Sequence, residues 1–463
     1  MIFSSIYFIF IFLPIVLLLY FLVPPIFKNT VLFISSIFFY AWGEPIYIVL
    51  MLFSIAFNFM MGVDIDNHRE DKHYQKLNLI FTIIVDLFVL GFFKYYGFLL
   101  DTVNQLLHTN ISYKQLALPI GISFYTFQTL SYVIDVYWGK VKAQRNIINF
   151  GLYVSMFPQL IAGPIVKYID IEKQLKNRKI TIVTIGQGME YFIKGLAKKV
   201  LLANNIGALA TEISSLSASN TSSLTAVLGV VAYSMQIYFD FSGYSDMAIG
   251  LGKMFGFTFM KNFDYPYVSK SITEFWRRWH ISLGSWFREY VYIPLGGNRV
   301  GTKKHIRNIF IVWFATGLWH GASWNFVLWG LFFGVLLLFE KYFFLEKLQN
   351  LPSIVAHIYT LVCVNISWIF FQNTSLGQVG HVFKMLFGMG NGFVDIRTLY
   401  YIKTNFLLFL LCFLCCSPFL YRIFKKITVK NQYIGLIINI GLFIISAAYL
   451  VYDTYNPFLY FRF

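Results

Sequence analysis

Charge is what this sequence lacks most. Only 13% of its 463 residues are Asp, Glu, Lys or Arg, against roughly a quarter in an ordinary soluble chain, which excludes a molecule wetted over its whole surface. Acidic residues are the scarcer kind, 21 against 37 Lys and Arg, so the net charge is +16. Cysteine is nearly absent. The four thiols are Cys363, Cys412, Cys415 and Cys416, and the last three stand in an apolar run beside Leu and Phe. That placement reads as small buried hydrophobes rather than a disulfide framework or a thiolate metal centre. No HExxH, GxSxG or Walker motif occurs, and no carboxylate pair stands at a useful spacing. GLGKMFG at 250–256 has the wrong spacing for a dinucleotide loop. No internal repeat, low-complexity linker or water-soluble domain stands out.

What the sequence does have is long apolar blocks. Hydrophobic residues make up 58% of the chain, and an uncharged apolar run of ~18 residues or more reads as a membrane-crossing helix. The fold class is therefore an all-α polytopic membrane protein. Candidate spans are 2–27, 30–42 with 45–62, 77–100, 115–138, 150–165, 189–207, 224–250, 307–345, 354–372, 404–423 and 433–452, about eleven or twelve crossings. The first block has no basic leader and no small-residue cleavage site, so it is expected to stay as a membrane helix. Basic residues gather in loops such as 139–145, 167–179 and 421–430. This is what the positive-inside rule produces, and it removes the need for a nucleic-acid partner. By the same rule both termini are expected outside, in the cytoplasmic membrane of a cell, with loop 64–76 inside.

The longest stretch that does not look membrane-spanning is 252–307. It carries Lys261, Lys270, Arg277, Arg278, Arg288, Arg299, Lys303, Lys304 and Arg307 against Asp264, Glu274 and Glu289, interleaved with aromatic residues. Two readings fit: an interfacial helix that anchors the fold, or a basic vestibule for a phosphate-bearing ligand.

Eight histidines are present. Six fall in polar loops, near helix ends or among mildly apolar neighbours, whereas His280 and His320 each directly follow a Trp, with Gly nearby, in crowded aromatic settings. The run 308–339 carries no charge and holds His320, 13 residues beyond Arg307 and 20 before Glu340. At ~1.5 Å per residue that is ~20 Å into the run, near the middle of a ~30 Å hydrocarbon core. As one straight helix the run would reach ~48 Å, too long for a single crossing. Gly317 and Gly321 bracket the histidine, so a break or bend is expected there. An ionisable group at such depth is a functional candidate, and neutral imidazole is the form that accepts a proton as a general base. The competing reading is a neutral histidine bonded to a neighbouring helix.

The stretches FWRRWHISLGSWFREYVYIPLGGNR (275–299) and GLWHGASWNFVLWG (317–330) resemble the membrane-bound O-acyltransferase family, MBOAT. More narrowly they are similar to its bacterial branch that acetylates cell-envelope polysaccharides, alginate and peptidoglycan among them. FYAWGEP, LPIGISFYTFQTLSYVIDVY, FPQLIAGPI, YFDFSGYSDMAIGLGKMFGF and NPFLYFRF extend the resemblance over nearly the whole chain. It implies one MBOAT-like domain, 1–463, with a signature segment at 261–330 and a C-terminal helix plus tail at 433–463. The implied architecture is a helical ring around a thin centre reached by a cytoplasmic funnel.

The resemblance carries the catalytic histidine onto His320 and the second signature position onto His280. It implies acetyl-CoA as donor, with no bound cofactor and no metal, and it gives the basic segment phosphates to attract. Trp276, Arg277, Arg278, Trp279, Ser323 and Asn325 then stand as substrate-binding candidates. FLYFRF at the C-terminus resembles the FxYxxF tail of a small partner in teichoic-acid D-alanylation, which makes Tyr460 a candidate acyl relay; the competing reading is an aromatic interfacial anchor. A serine esterase-like transferase outside the membrane is the implied partner, alongside the bilayer itself. His280, Asn325 or backbone N–H groups are open choices for orienting substrate or steadying an oxyanion. The richness in Ile, Phe, Lys and Asn suggests an AT-biased genome and tilts the acceptor towards peptidoglycan. Two rivals stand: a proton-coupled transporter without covalent transfer, against which the missing inverted repeat counts, and a scaffold that recruits the true transferase.

Overall fold

The computed structural model describes residues 2–161, 163–452 and 456–459. Helices and their connections account for all of them, with no strand among the described residues. Among those residues eight helices are long and apolar enough to cross a membrane. They are Pro25–Gly43, α1 (Ile48–Asn67), α2 (Lys72–Leu107), α4 (Ser223–Met254), Trp324–Asn350, α9 (Ser353–Gln372), Ile396–Cys415 and Tyr433–Tyr452. The chain is thus a multi-pass helical membrane protein.

The remaining apolar runs fold as shorter or broken pieces, for local reasons. Run 150–165 becomes Ile147–Ser155 and the single turn Phe157–Leu160, because Pro158 has no N–H with which to continue the first helix. Run 115–138 is helical only as α3 (Ile122–Tyr137). Run 404–423 stops at Cys415, ahead of Pro418. Run 189–207 loosens into a π-helical stretch, Lys198–Asn204.

The chain forms two compact units, Met1–Phe192 with Met247–Met260, and Ile193–Asp246 with Lys261–Phe463. The first is centred on aromatic packing, with the rings of Phe8, Phe12, Phe39 and Phe157 in mutual contact. Between α1, α2 and α3 runs a buried polar thread. Asp86 accepts from Asn58 at 2.9 Å and from Thr129 at 3.4 Å, and Lys94 donates to Ser123 at 3.0 Å.

The second unit holds the basic segment. Residues 261–301 contain no long helix, as expected, but fold as turns around α5 (Ile272–Arg278) and α6 (Ile281–Phe287). Ser271 caps α5 by accepting from the Glu274 N–H. Glu340, fully buried, caps it from another helix by accepting from the Ile272 and Thr273 N–H groups and the Thr273 hydroxyl. The uncharged run 308–339 divides into α7 (Thr302–His320) and α8 (Trp324–Phe339). Of the two bracketing glycines, only Gly321 ends a helix; α7 passes straight through Gly317. Gly317 serves instead as a contact point. A methyl built there would overlap the Phe326 carbonyl, and one built on Gly330 would overlap the Trp313 carbonyl, so these glycines let α7 and α8 meet backbone to backbone.

Candidate active site

The break between α7 and α8 holds one of the two histidines singled out in the sequence and lies close to the other. His320 is the last residue of α7 and is 2% exposed. Its imidazole meets the edges of Trp319 and Trp329, each with centroids at 4.9 Å, and Phe371 at 5.2 Å. His280 lies 6.4 Å from it, ring centre to ring centre, and Trp319 borders both imidazoles. Two histidines 40 positions apart in the sequence are therefore brought to one place.

His280 is held firmly. It is 1% exposed and occupies the left-handed backbone region at φ 46°, at the N-terminus of α6. Asn262 secures that turn: its carbonyl accepts the Ile281 N–H at 3.0 Å, and its Oδ1 accepts from the Ser282 N–H at 3.1 Å and hydroxyl at 2.9 Å. Because Oδ1 is thereby an acceptor, the His280 Nδ1 at 3.3 Å must be the protonated nitrogen, and Nε2 carries the lone pair. Burial pushes this imidazole down to about 3, so it is neutral at ordinary pH. Phe241 and Phe263 complete its surroundings at 4.7 and 6.4 Å.

The substrate-binding candidates separate into distinct environments. Trp276 stands against Trp313, Trp329 and Phe333, and the Nε1 atoms of Trp276 and Trp329 are buried donors with no hydrogen-bond partner among the described residues. Ser323 precedes α8, but its hydroxyl does not cap the helix and is likewise buried without such a partner. Buried donors are nearly always satisfied, and of these three Trp329 packs directly against His320. Trp279 packs into the interior between Phe275 and Trp368. Arg278 is tied to Glu274 at 2.9 Å and to the Asp264 carbonyl at 3.1 Å, whereas Arg277 is exposed. Asn325 is buried and donates to the Asn373 carbonyl at 2.7 Å, joining the start of α8 to the end of α9. Tyr460 lies outside the described residues.

Asn262 and Glu340 went unnoticed in the sequence. An asparagine in a polar segment carries no signal, but a carboxylate closing a 32-residue uncharged run does. In the basic segment Lys261 and Arg278 share Asp264, while Arg299, Lys303 and Lys304 are exposed. His305 is buried near the start of α7, with its two ring nitrogens at 2.8 Å from the Tyr342 hydroxyl and 3.0 Å from that of Tyr292. Among the described residues no group of three or more His, Cys, Asp or Glu is placed to hold a metal.

Fold and site together define the class: a helical membrane protein with two buried imidazoles brought side by side in an aromatic enclosure. Residues 140–373, which include both histidines, match the family model of MBOAT, the membrane-bound O-acyltransferase family. The probable alginate O-acetylase AlgI of Pseudomonas aeruginosa is 41% identical over 395 residues, covering 84% of this chain and 75% of that protein. The peptidoglycan O-acetyltransferase of Helicobacter pylori is 32% identical over 521 residues, covering 100% and 98%. The teichoic acid D-alanyltransferase of Bacillus subtilis is 29% identical over 250 residues, covering 50% and 62%. This chain belongs to the membrane-bound O-acyltransferase family and is an acyltransferase. That sets aside the transporter and the scaffold.

Proposed function

We propose that the protein carries acetyl groups from acetyl-CoA on the cytoplasmic side of the membrane towards a cell-envelope polysaccharide outside, with peptidoglycan as acceptor. The observation that carries the chemistry is the pair of buried imidazoles 6.4 Å apart in an aromatic enclosure. In this reading His320 takes the proton of an attacking hydroxyl, from Tyr460 or a serine of an outer partner enzyme, as that oxygen bonds to the thioester carbonyl carbon. The carbon–sulfur bond then breaks, and the departing thiolate recovers the proton from His320. His280 has its N–H engaged by Asn262, so Nε2 serves as an acceptor that orients a hydroxyl rather than as a donor to an oxyanion. Oxyanion donors are better supplied by the N-terminal turn of α8, which has no side-chain cap and turns the positive end of its dipole to the break. Exposed Arg277, Arg299, Lys303 and Lys304 draw in the phosphates of the donor.

Peptidoglycan is favoured because the Helicobacter relative matches end to end. Alginate or another exopolysaccharide is the second reading, favoured by the higher identity to the alginate O-acetylases. The test is ester-linked acetate in isolated peptidoglycan and in secreted polysaccharide from cells making His320→Ala at wild-type protein level. A loss of roughly 10²-fold or more is expected; unchanged acetate in both polymers overturns the mechanism. Whichever polymer loses acetate identifies the acceptor.

A further inference from the structure

A buried ion pair in the second unit serves no part of the chemistry above. Lys199, in the π-helical stretch Lys198–Asn204, and Asp240, on α4, lie 2.8 Å apart with side chains 1% and 2% exposed. Two charges taken out of water cost several kcal/mol each unless further hydrogen bonds satisfy what the pair leaves over. Here much of the remainder is satisfied by the far end of the chain. Lys199 Nζ donates to the Pro457 carbonyl, and Asp240 Oδ2 accepts the Leu459 N–H at 2.9 Å. Asn204 accepts from Lys199 at 2.8 Å and donates to the Asn456 side chain at 3.3 Å. The Phe458 ring stacks on Tyr244 at 4.5 Å, and Phe458 and Leu459 are buried. Residues 456–459 are thus bonded through side chain, main chain and ring to a charged cradle some 220 to 260 positions earlier.

The location gives the cradle a purpose. Asp240 immediately precedes Phe241, whose ring lies 4.7 Å from His280, so the tail is tethered to the turn of α4 that borders this histidine. In the sequence Tyr460 directly follows Leu459. We propose that Lys199, Asp240, Asn204 and Tyr244 form an intramolecular docking site for the C-terminal segment, and that they act as positioning residues for Tyr460. The docking stands on its own geometry; the purpose of positioning Tyr460 rests on the relay reading above.

The test uses the full-length protein in detergent, digested from its C-terminus by a broad-specificity carboxypeptidase and followed by intact mass. In wild type, digestion is expected to stall with Leu459 and Phe458 retained. Lys199→Met/Asp240→Leu removes both charges together and leaves no buried charge unpaired, so the body of the protein is expected to fold and melt like wild type. It should nevertheless release Leu459 and Phe458 at least roughly tenfold faster, having lost the tail's hydrogen bonds. Equal release from wild type and the double variant overturns the docking site. Should that variant fold poorly, Tyr244→Ala, which removes the ring beneath Phe458, gives the same comparison. Polysaccharide acetate provides the second readout. Positioning predicts that the double variant loses acetate as Tyr460→Phe does, while Tyr460→Phe keeps Leu459 protected. If Tyr460→Phe leaves acetate intact, the relay reading falls and the docking site stands. If Tyr460→Phe abolishes acetate and an undocked tail does not, positioning is overturned.

Discussion

His280 adopts a backbone conformation that an L-residue with a side chain takes up only at a cost of order 1–2 kcal/mol, and it does so because Asn262 grips the turn on three sides. Asn262 sets its tautomer, and the burial of the imidazole makes the fold sensitive to acid. The folded form holds the imidazole near 3, whereas an unfolded histidine titrates near ~6.5. Between those values the unfolded state binds more protons than the folded one, so stability falls as pH drops from about 6.5 towards 3 and is unaffected by this group above that window. Replacing His280 with Gln should flatten the decline in melting temperature of the detergent-solubilised protein between pH 6.5 and 4. An unaltered slope would assign the acid sensitivity elsewhere. The histidines were legible in the sequence because an imidazole in an apolar aromatic setting is conspicuous. Asn262 was not, because its importance comes from a hydrogen bond formed 18 positions away, which no local pattern encodes.

Elements impose their own demands. The meeting of α7 and α8 depends on glycines where any Cβ would strike a backbone carbonyl, and this contact places His320 beside Trp329. Gly330→Ala should therefore destabilise the protein by about 1–3 kcal/mol through overpacking, read as a lower melting temperature, and should reduce acetyl transfer by displacing the α7 terminus. A neutral outcome in both would show that the helices can part without consequence. Glu340 acts on α5 in a comparable way. Its carboxylate satisfies two backbone N–H groups at a helix start, and Glu340→Ala leaves them buried and unpaired at ~1–3 kcal/mol each. Transfer is expected to fall with stability, since α5 leads directly into Trp279 and His280; thermal melting alongside an acetate assay measures both. The break at Gly321 was readable from its glycines and from a run too long for one crossing. The role of Gly317 was not, because close approach depends on which helix lies opposite.

For the molecule as a whole, hydropathy and charge predict a topology that labelling can check. Single cysteines in loops 139–145, 167–179 and 421–430 should react only after the membrane is permeabilised, and cysteines at either terminus should react in intact cells. Labelling of the C-terminus only from inside would remove Tyr460 from the outer compartment, and the relay with it. The helical membrane class and the family were both present in the sequence. The count of spans was less so, because Pro158, Pro418 and the π-helical stretch turn apolar runs into short pieces.

What the amino-acid order determined by itself was the solvent this chain would accept and the two imidazoles that stand out among apolar, aromatic neighbours. Transfer free energy adds up residue by residue, and a histidine out of keeping with its neighbours is visible without a fold. What only the tertiary structure decided was which groups meet: Asn262 with His280, Glu340 with α5, and Lys199 and Asp240 with the end of the chain. Those pairings depend on directional hydrogen bonds and close packing between segments far apart in sequence, and these contributions do not add along the chain.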